Sequence, residues 1–152
     1  MSPSRTGRQR AQDGFSLIEL LVVILVIGVL AAIAIPVFLN QKGKAVDASG
    51  REEARAGAQA AETYSTDHSG NYGGLEPKSL HEYESSLQVE AGNNNSFLSN
   101  ATSQEGGKGY TVTATTTGGD TFTWAKNSKG EITRTCEVKA GNSKGGCQTG
   151  SW

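Results

Sequence analysis

Residues 15 to 39 form an almost unbroken apolar run, from Phe15 to Leu39, broken only by Ser16, one carboxylate at Glu19, Gly28 and Pro36. Read as helix, these roughly 25 residues span about 37 Å, enough to cross a hydrocarbon core of about 30 Å with some tilt. Gly28 weakens a helix by about 1 kcal/mol relative to alanine. Pro36 withholds a hydrogen bond from the carbonyl of Ala32 and disfavours helical geometry at Ile35. The stretch from 28 to 36 is thus a candidate weak section. An ordinary membrane helix, whose neighbours satisfy the freed backbone groups, is the alternative. Beyond Pro36 the helical signal continues to residue 66 but becomes rich in alanine and charge, with Phe38, Ala45, Ala48, Glu52, Ala56, Gln59 and Thr63 along one stripe. Small alanines would let a sheet or loop pack closely on this half. The Asp67 to Gly74 segment, with Gly70, Asn71, Gly73 and Gly74, then stops the helix.

The remainder predicts a small α+β head over residues 67 to 152. Leu80, Tyr83 and Leu87 recur at helical spacing after Ser79, a plausible cap. Residues 91 to 109 are rich in Asn, Ser and Gly and read as turn material around Phe97 and Leu98. Strands follow: Tyr110 to Thr115 alternates with period two, Gly118-Gly119-Asp120 turns, Thr121 to Trp124 alternates again, Asn127 to Gly130 turns, and Ile132 opens a third strand. The expectation is a three-strand antiparallel meander over about 109 to 137, with Tyr110, Val112, Ala114, Phe122, Trp124 and Ile132 facing inward. Past residue 66 there are only about fifteen large apolar side chains, so this head needs the helix to complete a core.

Charge and cysteine usage place the segments. Arg5, Arg8 and Arg10 precede the apolar run and predict a cytoplasmic N-terminus, with residues 40 to 152 outside. Without residues 1 to 14 the chain loses three of its 14 basic and one of its 15 acidic side chains, leaving a net charge of −3. That is no basic field for nucleic acid. Cys136 and Cys147, the two cysteines, both fall in the outer part and suit an oxidising compartment. A bridge between them would contribute on the order of 3 kcal/mol; two free buried thiols are the alternative. Signs of an enzyme are nearly absent. His68 and His81 lack zinc-ligand spacing, the glycine pairs lack a phosphate-loop context, and Glu105, Asp120 and Glu131 lack the regularity of a calcium loop. No cofactor, metal or small-molecule substrate is expected.

Glu19 carries the functional reading. A charge inside a membrane-length helix costs roughly 2.5–3.5 kcal/mol on insertion scales, so it suggests a specific partner. An ordinary secretory signal peptide would use the same arginines, Leu20 to Leu30 and Ala32-Ile33-Ala34, yet it leaves Glu19 unexplained. The block Gly14-Phe15-Ser16-Leu17-Ile18-Glu19 at the start of a long apolar helix resembles the N-terminus of type IV prepilins. That resemblance implies the type IV pilin fold, a leader spanning residues 1 to 14 that prepilin peptidase removes between Gly14 and Phe15, and N-methylation of Phe15. It further implies that Glu19 pairs with a neighbour's N-terminal amine during assembly, that Gly28 and Pro36 bracket a segment able to lose helicity in the filament, and that Cys136 and Cys147 form a C-terminal disulfide. Residues 15 to 39 would then be the membrane-spanning and filament-core half of the helix, and 40 to 66 its soluble half. The implied function is that of a structural subunit, single-pass in the membrane and then an extracellular helical homopolymer, with the inner-membrane pilus assembly machinery as its other partner. A pseudopilin of a type II secretion or DNA-uptake system would share the same N-terminal block. A membrane-anchored binding module that does not assemble is the reading from another class.

Overall fold

The computed structural model describes residues 14–92, 94–142, 145–147 and 149–152; the expected leader, apart from Gly14, lies outside them. One helix, α1 (Leu17–Asp67), runs through both of the units into which the chain divides, the first ending at Val37 and the second covering Phe38–Trp152.

In the first unit α1 exposes its apolar side chains: Leu17, Ile24, Leu30 and Ile33 are all more than half exposed. The helix is apolar and long enough to cross a membrane, which is compatible with membrane anchoring. Pro36 lies inside it without ending it. Residues 28 to 36 are helical in the single chain, whereas the expected loss of helicity concerns the assembled state.

In the second unit the side of α1 that packs is made of small residues. Gly50, Ala54, Gly57, Ala58 and Ala61 are buried, with Asp47 and Tyr64 at either end of the stripe. The stripe expected from Phe38 to Thr63 is the other side: Ala45, Ala48, Glu52, Gln59 and Thr63 are exposed and only Ala56 is half-buried. Hydropathy misplaces the face because Ala and Gly are chosen here for small volume, and they differ little in hydropathy from the alanines turned to solvent. The sheet comes so close that a Cβ at Gly50 would sit 2.7 Å from the Phe122 ring, and one at Gly57 2.8 Å from Leu98.

The short helix α2 (Pro77–Tyr83) follows. Ser79 is its third residue, and its hydroxyl accepts the Glu76 backbone N–H at 2.9 Å, so Glu76 holds the cap position expected of Ser79. The sheet has four strands in the order β1 (Ser96–Gln104), β2 (Gly109–Thr116), β3 (Thr121–Lys126) and β4 (Ile132–Glu137), each antiparallel to the next. The expected three-strand meander is β2 to β4. Strand β1 was hidden because its register with β2 shifts between Leu98 and Asn100. That irregularity turns both Leu98 and Ala101 inward, three residues apart, and so breaks the period-two signal.

Tyr110, Val112, Ala114 and Phe122 are buried as expected, Trp124 is half-buried, and Ile132 is 54% exposed. Ile132 pairs with Lys126 and so shares the inner face of Trp124, but β4 is the edge strand and only Cys136 along it is buried. Cys136 and Cys147 are bonded, with Cα atoms 5.8 Å apart, and pack with Ala54, Ala114 and Phe122. The last described residues fold back on β4: Cys136 N–H donates to Gly150 O at 2.9 Å, Thr135 pairs with Ser151, and the Trp152 indole N–H donates to Thr135 O at 2.9 Å.

Candidate assembly site

Gly14, Phe15 and Ser16 precede the first helical residue, so the expected scissile Gly14–Phe15 bond lies in non-helical backbone. Among the described residues nothing lies within 4 Å of where a Cβ on Gly14 would stand. Phe15 is 82% exposed.

Glu19 is the acid of the first turn of α1. Its Oε2 accepts the Ser16 backbone N–H at 2.9 Å, while the Ser16 carbonyl accepts Leu20 N–H at 3.2 Å. Ser16 thus stands at the cap position and Glu19 three residues on, the Ser-x-x-Glu spacing in which the acid reaches back to an otherwise unpaired backbone donor. A carboxylate here is further favoured by the positive end of the helix dipole. Glu19 therefore has a hydrogen-bond partner inside its own chain. Phe15, Ile18, Val22 and Val23 line the hollow beside it.

Gly28 lies further along the same helix, again with nothing within 4 Å of where a Cβ would stand, and Pro36 follows just before the first unit ends. The Cys136–Cys147 bridge belongs to the second unit. Phe15 and Glu19 thus line one hollow, Gly14 stands just before them, and the remaining expected positions are spread along the chain.

Two polar clusters in the second unit escaped the sequence reading. Glu62 on α1 accepts hydrogen bonds from Lys126 at 2.8 and 2.9 Å, Tyr72 at 2.8 Å and Tyr110 at 3.1 Å. Burial alone would raise the pKa of Glu62, but these donors and the Lys126 charge outweigh it and hold the carboxyl below its ordinary value. The same pairing raises that of Lys126. The second brings Asp47 and Asp120, both at least 96% buried, onto the wall of one pocket. Asp47, an acid among alanines, carries no pattern that would have singled it out, and Asp120 was weighed only with Glu105 and Glu131 as a calcium-loop acid. Among the described residues no three or more His, Cys, Asp or Glu gather as a metal-holding group.

Residues 9–35 match the family model of the prokaryotic N-terminal methylation motif. No solved structure matches the chain. The match covers the expected cleavage site, Glu19 and most of the apolar run, and such a motif points to a structural subunit. The matched residues correspond to the class III leader of type IV pilins, and the long helix, four-stranded antiparallel sheet and Cys136–Cys147 bridge fit the type IV pilin fold.

Proposed function

We propose that the chain is the structural subunit of a type IV pilus. It inserts with its N-terminus in the cytoplasm, is cut by prepilin peptidase between Gly14 and Phe15, is N-methylated at Phe15, and is lifted by the assembly machinery into an extracellular helical filament. The observation that carries this reading is the coincidence of the methylation motif with a helix whose apolar side chains are exposed among the described residues. Such side chains suit first lipid and then identical helices, and a heterologous, non-closing contact between copies yields a fibre, not a ring. Glu19, capped by its own Ser16 N–H in the single chain, would exchange that contact for the methylated amine of a neighbouring Phe15. Losing one member of such a pair leaves an uncompensated buried charge costing about 3–5 kcal/mol.

Glu19→Ala is expected to insert and be processed but to yield no filaments. Normal filaments from that variant, seen by electron microscopy of sheared cells, would refute the pairing. Mass spectrometry of the mature chain should find methylated Phe15 at the N-terminus; an uncut leader would exclude the reading. Long surface fibres separate a pilus subunit from a pseudopilin, which would build only a short fibre within the envelope.

A further inference from the structure

Two stretches of the second unit, Asn94-Asn95-Ser96 and Asn100-Ala101-Thr102, match Asn-x-Ser/Thr without proline, the pattern of an N-glycosylation acceptor. The pattern is short enough to arise by chance, but the fold sets the two apart. Ser96 is 3% exposed with its hydroxyl 2.8 Å from that of Ser49 on α1, and the Asn94 side-chain amide donates to Gln88 Oε1 at 2.6 Å. The hydroxyl that this acceptor would have to present is therefore shut between β1 and α1. Asn100 stands in the open. The register shift between Leu98 and Asn100 leaves two consecutive residues, Ser99 and Asn100, both exposed, while Ala101 turns inward and Thr102 is half-buried. Thr102 Oγ1 accepts the Gln104 side-chain amide at 3.4 Å, a long contact that is easily given up.

The position also lies where the sheet is least covered. Strand β1 is one of its two edges. Ahead of the shift that edge is occupied, since Leu98 N–H donates to Gln88 O at 2.6 Å; from Asn100 to Gln104 no other segment among the described residues takes it. An uncovered edge is a template for a neighbouring strand. A hydrated sugar at its start would bar that approach.

We propose that Asn100 carries an N-linked glycan, added to the exported and folded second unit, and that Asn94 carries none. The donor is a glycan held on a polyprenyl pyrophosphate. Nδ2 of Asn100 forms a bond to the anomeric carbon of the sugar as the bond from that carbon to the pyrophosphate oxygen breaks. The polyprenyl pyrophosphate leaves with the electron pair, and the amide gives up one proton to a base of the transferring enzyme. Nothing is oxidised or reduced. Thr102 supplies the hydroxyl of the acceptor pattern, so serine serves in its place and alanine does not. The proposal rests on the reading that the second unit is carried out of the cytoplasm.

The test is mass spectrometry of the chain from the cells that make it. After trypsin both asparagines fall in one peptide, Ser79–Lys108, so electron-transfer fragmentation, which leaves a sugar on its amide, is used to tell them apart. The sugar should sit on Asn100 with Asn94 bare. Asn100→Gln, which keeps an exposed amide and so leaves the fold intact, should lose the sugar completely. Thr102→Ala should lose it as well, and Thr102→Ser should retain it. A bare Asn100, a sugar on Asn94, or a sugar that survives Asn100→Gln would each overturn the proposal. The N-terminus read in the same spectra keeps this outcome apart from that of the assembly reading: Phe15 first with Asn100 bare sinks the glycan alone, whereas Asn100 glycosylated on a chain that keeps its leader sinks the processing alone.

Discussion

Gly50 and Gly57 set how near the sheet can come to α1, and they do so by what they lack. A methyl on Gly50 would press on both the Phe122 ring and the Thr116 methyl at 2.7 Å, in a core packed too densely to yield freely. Alanine gains about 1 kcal/mol in helix propensity, whereas overpacking costs about 1–3 kcal/mol. Gly50→Ala is therefore expected to lower the thermal stability of the second unit, measured by circular dichroism. Gly28→Ala, which meets nothing within 4 Å, should not.

Glu62 makes the opposite kind of demand, since it works only while charged. Its folded pKa lies below its ordinary 4.5, so its contribution is complete above that value and is lost as pH falls through the lowered one. Melting curves over a pH series should show the parent losing stability below about pH 4.5 more steeply than Glu62→Gln. Asp47 slopes the other way, which is why the comparison is between variant and parent. Neither residue stands out in the sequence. Glu62 matters because Lys126, 64 positions away, is folded onto it, and no local pattern encodes a partner so distant.

At the scale of elements, α1 and the strands β2 to β4 were legible because apolar length and strict alternation are local signals. Strand β1 was not, since its regular alternation breaks at the Leu98/Asn100 irregularity and its pairing is supplied by β2. Its contribution is nonetheless central: Leu98 is fully buried against Gly57. Leu98→Ala should cost about 2–5 kcal/mol of unfolding free energy in denaturant titration, a loss that surface turn material would not give. Reducing the Cys136–Cys147 bridge should cost on the order of 3 kcal/mol, mainly by freeing the unfolded chain. An unchanged melting temperature after reduction would count against that role. The spacing of two cysteines allowed the bridge, while the burial of both beside Phe122 explains why it is part of the core.

For the whole molecule, the N-terminal methylation motif was legible at one end and the packing, in part, at the other. Residues 14 to 19 carry their chemistry in consecutive order, so Gly14, Phe15 and Glu19 stand out from the sequence alone. The second unit is built from contacts between distant residues, and its interior is named by the sequence only in part. Both of its hydrophobic clusters lie after residue 53. A chain starting at Phe38 is therefore expected to fold in water with the same thermal transition as the second unit of the full chain in micelles; a transition absent or much lowered would show that the apolar half is needed for folding.

The fold-back on β4 has a consequence for any protein that must crowd together with copies of itself. An edge strand offers unpaired N–H and C=O groups on which a neighbouring strand can grow, and close-set copies invite such growth into disordered β aggregates. Here Gly150 and Ser151 occupy part of that edge, taking the Cys136 N–H and pairing with Thr135. In the filament proposed above, contacts between copies would be steered away from this part of β4.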